Sequence, residues 1–291
     1  MILITGATGN VGTELVKRLA RRGEKVRAFV RRGSTRGAIP VRGVEFVEGD
    51  FNEPASFLPA LAGIDRLFLL IPSGEHVERQ QKEFVDAAKQ SGVRQIAKLS
   101  QLGANEKARA RFPKYHGAVE SYIVKSGIGY TFLRPNLFMQ ALLNFRSAIV
   151  SQGVLYAPAG NGRVSIMDVR DIAAVAERVL TEPGHEGKVY DITGPEGLTH
   201  GEMAATLSHR LGRTIKHVDV APTAFREALL SFGLPHWQVE GVVEDYEQYR
   251  NGEASAIRST VRDVTGEGAR TFGQFAEEYA MKFLGQAANA P

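Results

Sequence analysis

The sequence runs to 291 residues, 43% of them hydrophobic and 23% charged, with no cysteine. That is ordinary globular composition, which excludes a disordered, fibrous or membrane-like chain, and it rules out disulfides, thiolate catalysis and cysteine-ligated zinc. The net charge of +4 is scattered, apart from a cluster of Arg21, Arg22, Lys25, Arg27, Arg31 and Arg32; a polyphosphate ligand accounts for that cluster as well as DNA does, and no nucleic-acid partner is expected.

The chain opens Met1-Ile2-Leu3-Ile4-Thr5-Gly6, with no basic or cleavable apolar leader ahead of the first apolar run. No later run approaches the roughly 20 residues of a membrane span, so the expected location is the cytoplasm, away from membranes. Short apolar runs at residues 2–5, 26–30, 44–47, 66–71, 95–99 and 130–133 predict buried strands. Leu15, Val16, Leu19 and Ala20 recur at helical intervals between two of them, as do Phe84, Val85, Ala87 and Ala88 further on. Strands alternating with helices predict a doubly wound parallel sheet of the Rossmann type. A helix over 168–180 and a strand over 188–192 extend the pattern. Thr199 and Glu202 have the spacing of a capping box, and helices are expected over 223–231, 236–250 and 272–284. The tail from Gly285 is small and polar enough to fray. The expected division is a dinucleotide-binding core of residues 1–135 completed by 164–194, with 136–163 and 195–291 forming a smaller, mainly helical substrate-binding region.

Gly6-Ala7-Thr8-Gly9-Asn10-Val11-Gly12 sits between the first strand and the first helix. Gly6 permits a tight turn, Gly9 lets the backbone approach a diphosphate, and Gly12 lets helix and strand pack closely. The helix amino end then offers unpaired N–H groups and a positive dipole to phosphate. The second strand ends in Arg31 and Arg32 where an acid would bond the ribose 2′-hydroxyl of NAD(H). A guanidinium suits a 2′-phosphate, so NADP(H) is expected in preference to NAD(H). Asp50 and Phe51, at the end of the third strand, are candidates for the adenine edge and face, with Asp50 equally readable as a turn residue.

The glycine turn, Arg31, the stretch Lys114-Tyr115-His116-Gly117-Ala118-Val119-Glu120, and Ser126-Gly127-Ile128-Gly129-Tyr130-Thr131-Phe132-Leu133-Arg134-Pro135-Asn136 together resemble the NmrA-like atypical short-chain dehydrogenases. Asp168-Val169-Arg170-Asp171-Ile172-Ala173 and Tyr190-Asp191-Ile192-Thr193-Gly194 extend the resemblance. Within that family the chain is most similar to bacterial quinone, azo-dye and triphenylmethane-dye reductases. The resemblance implies cofactor contacts along Gly6–Gly12, Arg31, Leu70, Ile71, Pro72, Ser100, Pro135, Asn136, Leu137 and Phe138.

Short-chain dehydrogenases commonly use a Tyr-x-x-x-Lys pair one helical turn apart, the ammonium lowering the tyrosine pKa. Here Tyr115 is followed four residues on by Val119, and Lys114 points more than a quarter turn away. Tyr115 therefore reads as a packing residue or as an acid. His116 and Glu120, spaced i,i+4 like the His-x-x-x-Glu of part of the family, read as a substrate-orienting or proton-relaying pair or as a helix-surface hydrogen bond. No metal site is expected. Without the dyad, an electron-poor acceptor such as a quinone, an azo compound or a triarylmethane cation remains reducible, because it takes a hydride directly and collects any proton from water. The acceptor pocket is expected between the nicotinamide end of the sheet and the C-terminal helices. Phe138, Met139, Trp237 and Tyr246 are the leading lining candidates, with Phe145, Phe232 and Tyr249 behind them. The rival reading is a non-catalytic NADP(H)-sensing regulator, and the expected assembly is a monomer or homodimer.

Overall fold

The computed structural model describes residues 1–33, 41 and 43–284; the tail from Gly285 lies outside the described residues. In chain order the first elements are β1 (Ile2–Ile4), α1 (Asn10–Arg21), β2 (Val26–Val30), β3 (Val44–Glu48), α2 (Phe57–Leu61) and β4 (Arg66–Leu69). Next come α3 (Val77–Gln90), β5 (Gln95–Leu99), α4 (Arg111–Ser126), β6 (Gly129–Pro135), α5 (Arg146–Gln152), β7 (Val154–Tyr156), α6 (Val169–Thr181) and β8 (Lys188–Ile192). The remainder is α7 (His200–Leu211), β9 (Lys216–Val218), α8 (Pro222–Ser231), α9 (His236–Arg250), α10 (Thr260–Thr265), α11 (Phe272–Glu278) and α12 (Ala280–Phe283).

The chain divides into two compact units, Met1–Pro135 with Val169–Asp191 and Asn136–Asp168 with Ile192–Pro291. The second unit takes in residues 164–168 and 192–194, which the sequence pattern assigns to the core. Their backbone bonds explain this: Val164 and Leu198 exchange N–H···O contacts of 2.9 Å each way, Ser165 donates to Ala254, and Gly194 donates to Ser165.

The first unit holds a seven-stranded sheet in the order β3-β2-β1-β4-β5-β6-β8. Every pairing from β3 through β6 is parallel. Ile2, Leu3 and Ile4 are all buried, as are Gln95 through Leu99. Strands buried on both faces need helices on both, which is why these runs read as continuously apolar. Helix α1 buries Val11, Leu15, Val16 and Leu19 and packs on α6, where Arg18 Nε meets Glu177 at 2.6 Å. Helices α2 and α3 pack together, as do α3 and α4. The strand order reverses between β1 and β4, the kind of crevice where open α/β sheets bind ligands.

The second unit packs α7, α11 and α12 around Met139, Leu142, Ile149, Leu155 and Ile166. A second cluster joins Phe225, Val239, Val243, Tyr246 and Tyr249 from α8 and α9. The capping box at α7 forms as expected, Thr199 Oγ1 accepting from Glu202 N–H and the Glu202 carboxylate accepting from Thr199 N–H. The single helix expected over 272–284 is two, α11 and α12, because Tyr279 leaves helical geometry at φ −99°, ψ 7°. The parallel pairing of β7 with β9 has no counterpart among the expected strands.

Candidate functional site

In the first unit the β1–α1 turn is built around three glycines. Gly6 adopts φ +62°, a conformation that favours glycine, and the Leu70 side chain fills the space a Cβ there would take. A Cβ on Gly12 would lie 2.1 Å from the Gly6 carbonyl oxygen, so the first turn of α1 packs against the loop only as glycine. Thr13 Oγ1 donates to the Ala7 carbonyl at 3.1 Å and closes the turn from inside. Thr8, Gly9 and Asn10 are exposed, whereas Val11 is buried in the helix face. No side chain caps the helix at Gly9. Its first N–H groups have no intrahelical acceptor, so the dipole's positive end faces a glycine-lined opening. The residues present fit a diphosphate.

Thr5, absent from the sequence-based candidates, ties the two strands flanking this turn. Its buried Oγ1 lies 3.1 Å from the Phe68 carbonyl and 2.9 Å from that of Leu70, and accepts from Leu70 N–H at 2.8 Å. Leu70 and Ile71 follow β4, Ile71 buried and Pro72 exposed. Arg31 and Arg32 stand exposed at the end of β2, Arg32 Nε 3.5 Å from Glu48 across the β2–β3 pair. Asp50 opens a turn, its Oδ1 accepting from the backbone N–H and side-chain amide of Asn52, at 2.8 and 3.0 Å. Phe51 is half-buried, its ring edge-on to Phe29 and Phe84 at 5.1 Å each.

Helix α4 carries the catalytic candidates, and Gly117 lets it approach the preceding loop, since a Cβ there would lie 2.3 Å from the Asn105 backbone. Val119 and Ile123 face the core with no exposed surface, so the position where a dyad lysine would stand is packing. Tyr115 is also buried, but its hydroxyl reaches Ser73 Oγ at 3.0 Å, just beyond β4. His116 and Glu120 are both buried, which corrects the helix-surface reading. The side-chain bonds they make go to neighbouring strands. Glu120 is gripped in two-toothed fashion by Arg134 of β6, with Nε–Oε1 at 3.0 Å and a second contact from Nη2 to Oε2. Ser100, just past β5, donates to Glu120 Oε1 at 2.5 Å. His116 Nδ1 lies 2.6 Å from Nζ of Lys98, a fully buried residue on β5.

Lys98, Arg134 and Ser73 were not among the sequence-based candidates. Lys98 carried a signal: a charged residue inside a run otherwise read as a buried strand. Burial lowers its ammonium to about 7, with Glu120 acting in the opposite direction and Arg134 adding to the drop. Burial, and then the Lys98 charge, hold His116 well below the ordinary imidazole value. The imidazole is thus neutral near pH 7, and Nδ1 accepts when Lys98 carries its proton. The arrangement can hold one mobile proton beside a carboxylate already matched by a guanidinium. Among the described residues no group of His, Asp and Glu gathers to hold a metal, and no helix is long and apolar enough to cross a membrane.

In the second unit, Asn136 has a structural role. Its Nδ2 donates to Ser165 Oγ and the Ala254 carbonyl, both at 2.8 Å, and its Oδ1 accepts from Leu137 N–H. Leu137 and Phe138 are half-buried. Met139 and Tyr246 sit inside the two hydrophobic clusters, so these two lining candidates are core residues. Phe145 packs on those clusters and Tyr249 is buried in the second. Trp237 is half-buried, and Phe232 is 76% exposed.

Residues 1–272 match the model of the NmrA-like family. The NAD(P)H azoreductase of Xenophilus azovorans is 35% identical over 283 residues, spanning 97% of this chain and 99% of that one. The structure of an NADPH-dependent quinone oxidoreductase from Escherichia coli, complexed with NADPH, matches with a TM-score of 0.86 at 28% identity, covering 96% of this chain and 99% of its own. That of a Citrobacter triphenylmethane reductase complexed with NADP(H) matches with a TM-score of 0.85 at 28% identity, covering 96% and 100%.

Proposed function

Because the chain belongs to the NmrA-like family, we propose that it is an NADPH-dependent reductase delivering a hydride to an electron-poor conjugated acceptor of the quinone, azo or triarylmethane-dye type. The observation that carries this reading is the uncapped, glycine-lined amino end of α1, on a chain akin over nearly its whole length to an azoreductase. Residues Gly6 through Gly12 hold the cofactor's diphosphate through backbone N–H groups. Arg31, with Arg32 beside it, recognises the 2′-phosphate. The strand-end residues Leu70, Ile71 and Ser100 border the cofactor's path. When bound, the reduced nicotinamide supplies two electrons as hydride. Val119 stands where a dyad lysine would activate Tyr115, so the protein favours acceptors whose own electron deficiency lowers the barrier. A non-catalytic NADP(H) sensor is the less supported reading, since the azoreductase, the quinone oxidoreductase and the triphenylmethane reductase matched over most of their length are named as reductases. The same proposal makes it a cytoplasmic monomer or homodimer acting on small conjugated molecules without nucleic acid.

NADPH oxidation across quinones, azo compounds and cationic triarylmethane dyes, repeated with NADH, tests the reading; inertness toward all three classes refutes it. Arg31→Ala is expected to weaken NADPH binding about tenfold or more, the equivalent of one charged hydrogen bond of about 1.5 kcal/mol, and to leave NADH binding nearly unchanged. Equal losses for both nucleotides would remove Arg31 as the selector.

A further inference from the structure

The reductase reading leaves unexplained an amine buried at the end of β5, in contact with the imidazole of α4. We propose that Lys98 is a proton-relay residue, acting through His116, that supplies the proton for acceptors whose reduction requires one. The inference rests on the reductase reading and adds the source of the second atom transferred.

The geometry supports this in three ways. Lys98 Nζ is fully buried, with contacts at 2.6 Å to His116 Nδ1 and 3.2 Å to the Leu99 carbonyl. The one carboxylate of the cluster, Glu120, is already matched by the Arg134 guanidinium and the Ser100 hydroxyl. Glu120, shared with Arg134 and Ser100, therefore offsets the buried ammonium only in part, and the ammonium proton is the labile one. The imidazole in turn lies against the Tyr115 ring, centroids 4.1 Å apart and planes tilted by 31°, and the Tyr115 hydroxyl bonds Ser73 beyond the end of β4. Ser73 and Ser100 lie past the carboxyl ends of adjacent strands, where ligands bind in open α/β sheets. Among the described residues the titratable and charged groups acting on or touching Lys98 are His116 and Glu120 from α4 and Arg134 from β6; Asp191 of β8 acts on Arg134. On β4 the residue in register is the apolar Leu69.

The step balances. For an azo compound, hydride from NADPH forms an N–H bond at one nitrogen as the N=N π bond breaks. The other nitrogen takes a proton from His116 Nε2, while His116 Nδ1 receives one from the Lys98 ammonium. The products are the hydrazine, NADP⁺ and a neutral amine that solvent reprotonates. A triarylmethane cation differs: hydride alone converts it to the neutral leuco form, and no proton is consumed. The two acceptors therefore separate a relay from a scaffold.

The test compares NADPH oxidation with an azo dye and with a cationic triarylmethane dye over pH 6–9, in the wild type, Lys98→Met, Lys98→Arg and His116→Gln. In the wild type, kcat for the azo dye is expected to fall about tenfold per pH unit above pH 7, where burial places the Lys98 titration, while kcat for the cationic dye stays flat. Both Lys98 variants are expected to lose about a hundredfold in azo reduction, the lower range for general acid catalysis, and to keep cationic-dye reduction and NADPH affinity within about twofold. The arginine variant keeps the charge but does not release a proton at these pH values. Full rescue by Lys98→Arg, equal losses on both dyes, or parallel wild-type pH profiles would overturn the relay while leaving the reductase reading intact. The wild-type profiles decide the matter even where a variant fails to fold. A wild type inert toward both dyes would overturn the relay, and only inertness toward quinones as well would sink the reductase reading with it.

Discussion

At the scale of single residues, the structure separates positions where chemistry was written in the sequence from positions where only folding reveals it. Gly12 belongs to the first kind: its spacing from Gly6 marked a close approach, and the 2.1 Å that would separate an added Cβ from the Gly6 carbonyl oxygen gives the reason. Gly12→Ala is expected to cost about 1–3 kcal/mol of stability by forcing backbone apart, and to abolish NADPH binding. Urea unfolding and nucleotide titration check both, and a variant with unchanged affinity would refute the turn's role. Lys98 and Arg134 belong to the second kind, because the partners that give them meaning lie on another element. His200 is a third case. It is fully buried beside Tyr246 and His217, rings 5.5 Å away, and neither ring nitrogen has a hydrogen-bond partner among the described residues. Burial, with His217 adding and Asp219 opposing, lowers it to about 3 from 6.5. Between those values the unfolded chain binds a proton that the folded chain refuses, so His200 erodes stability as pH falls through that window, by about 1.4 kcal/mol per unit. His200→Phe should gain about 2–3 kcal/mol on wild type between pH 7 and pH 4.5. Identical pH dependence in the two proteins would contradict this.

At the scale of elements, legibility followed the strength of local signals. The strands over 26–30, 95–99 and 188–192 and the helix over 236–250 appear with the boundaries expected, since apolar runs and Gly/Pro punctuation agree there. Strands β7 and β9 did not show in the sequence, because Val154–Tyr156 and Lys216–Val218 are three residues each and owe their form to one another. The break at Tyr279 was equally silent, as nothing in the residues around it signals a helix end. Caps were legible: the Thr199–Glu202 box reads directly from its spacing and forms. Thr199→Ala is expected to destabilise the protein by about 1 kcal/mol, visible as a lower urea midpoint with an unchanged slope; no shift would mean that neighbouring packing alone fixes the start of α7.

At the scale of the whole molecule, the family and the doubly wound sheet were both legible, because alternation of strand and helix constrains topology strongly. The cluster proposed to be catalytic was legible only in part, since Tyr115, His116 and Glu120 were candidates in the sequence but their partners on β5 and β6 were not. The domain limits differed by a few residues for a related reason: backbone bonds from Val164, Ser165 and Gly194 go to the second unit, and no side-chain pattern announces them. The first unit is also discontinuous in sequence, and this matters during synthesis. A ribosome that has released Pro135 has delivered six strands, but neither β8, which borders β6, nor α6, which packs on α1. Until Asp191 emerges, the nascent polypeptide carries an open sheet margin and a bare greasy helix flank, the surfaces on which chaperones act and aggregates begin.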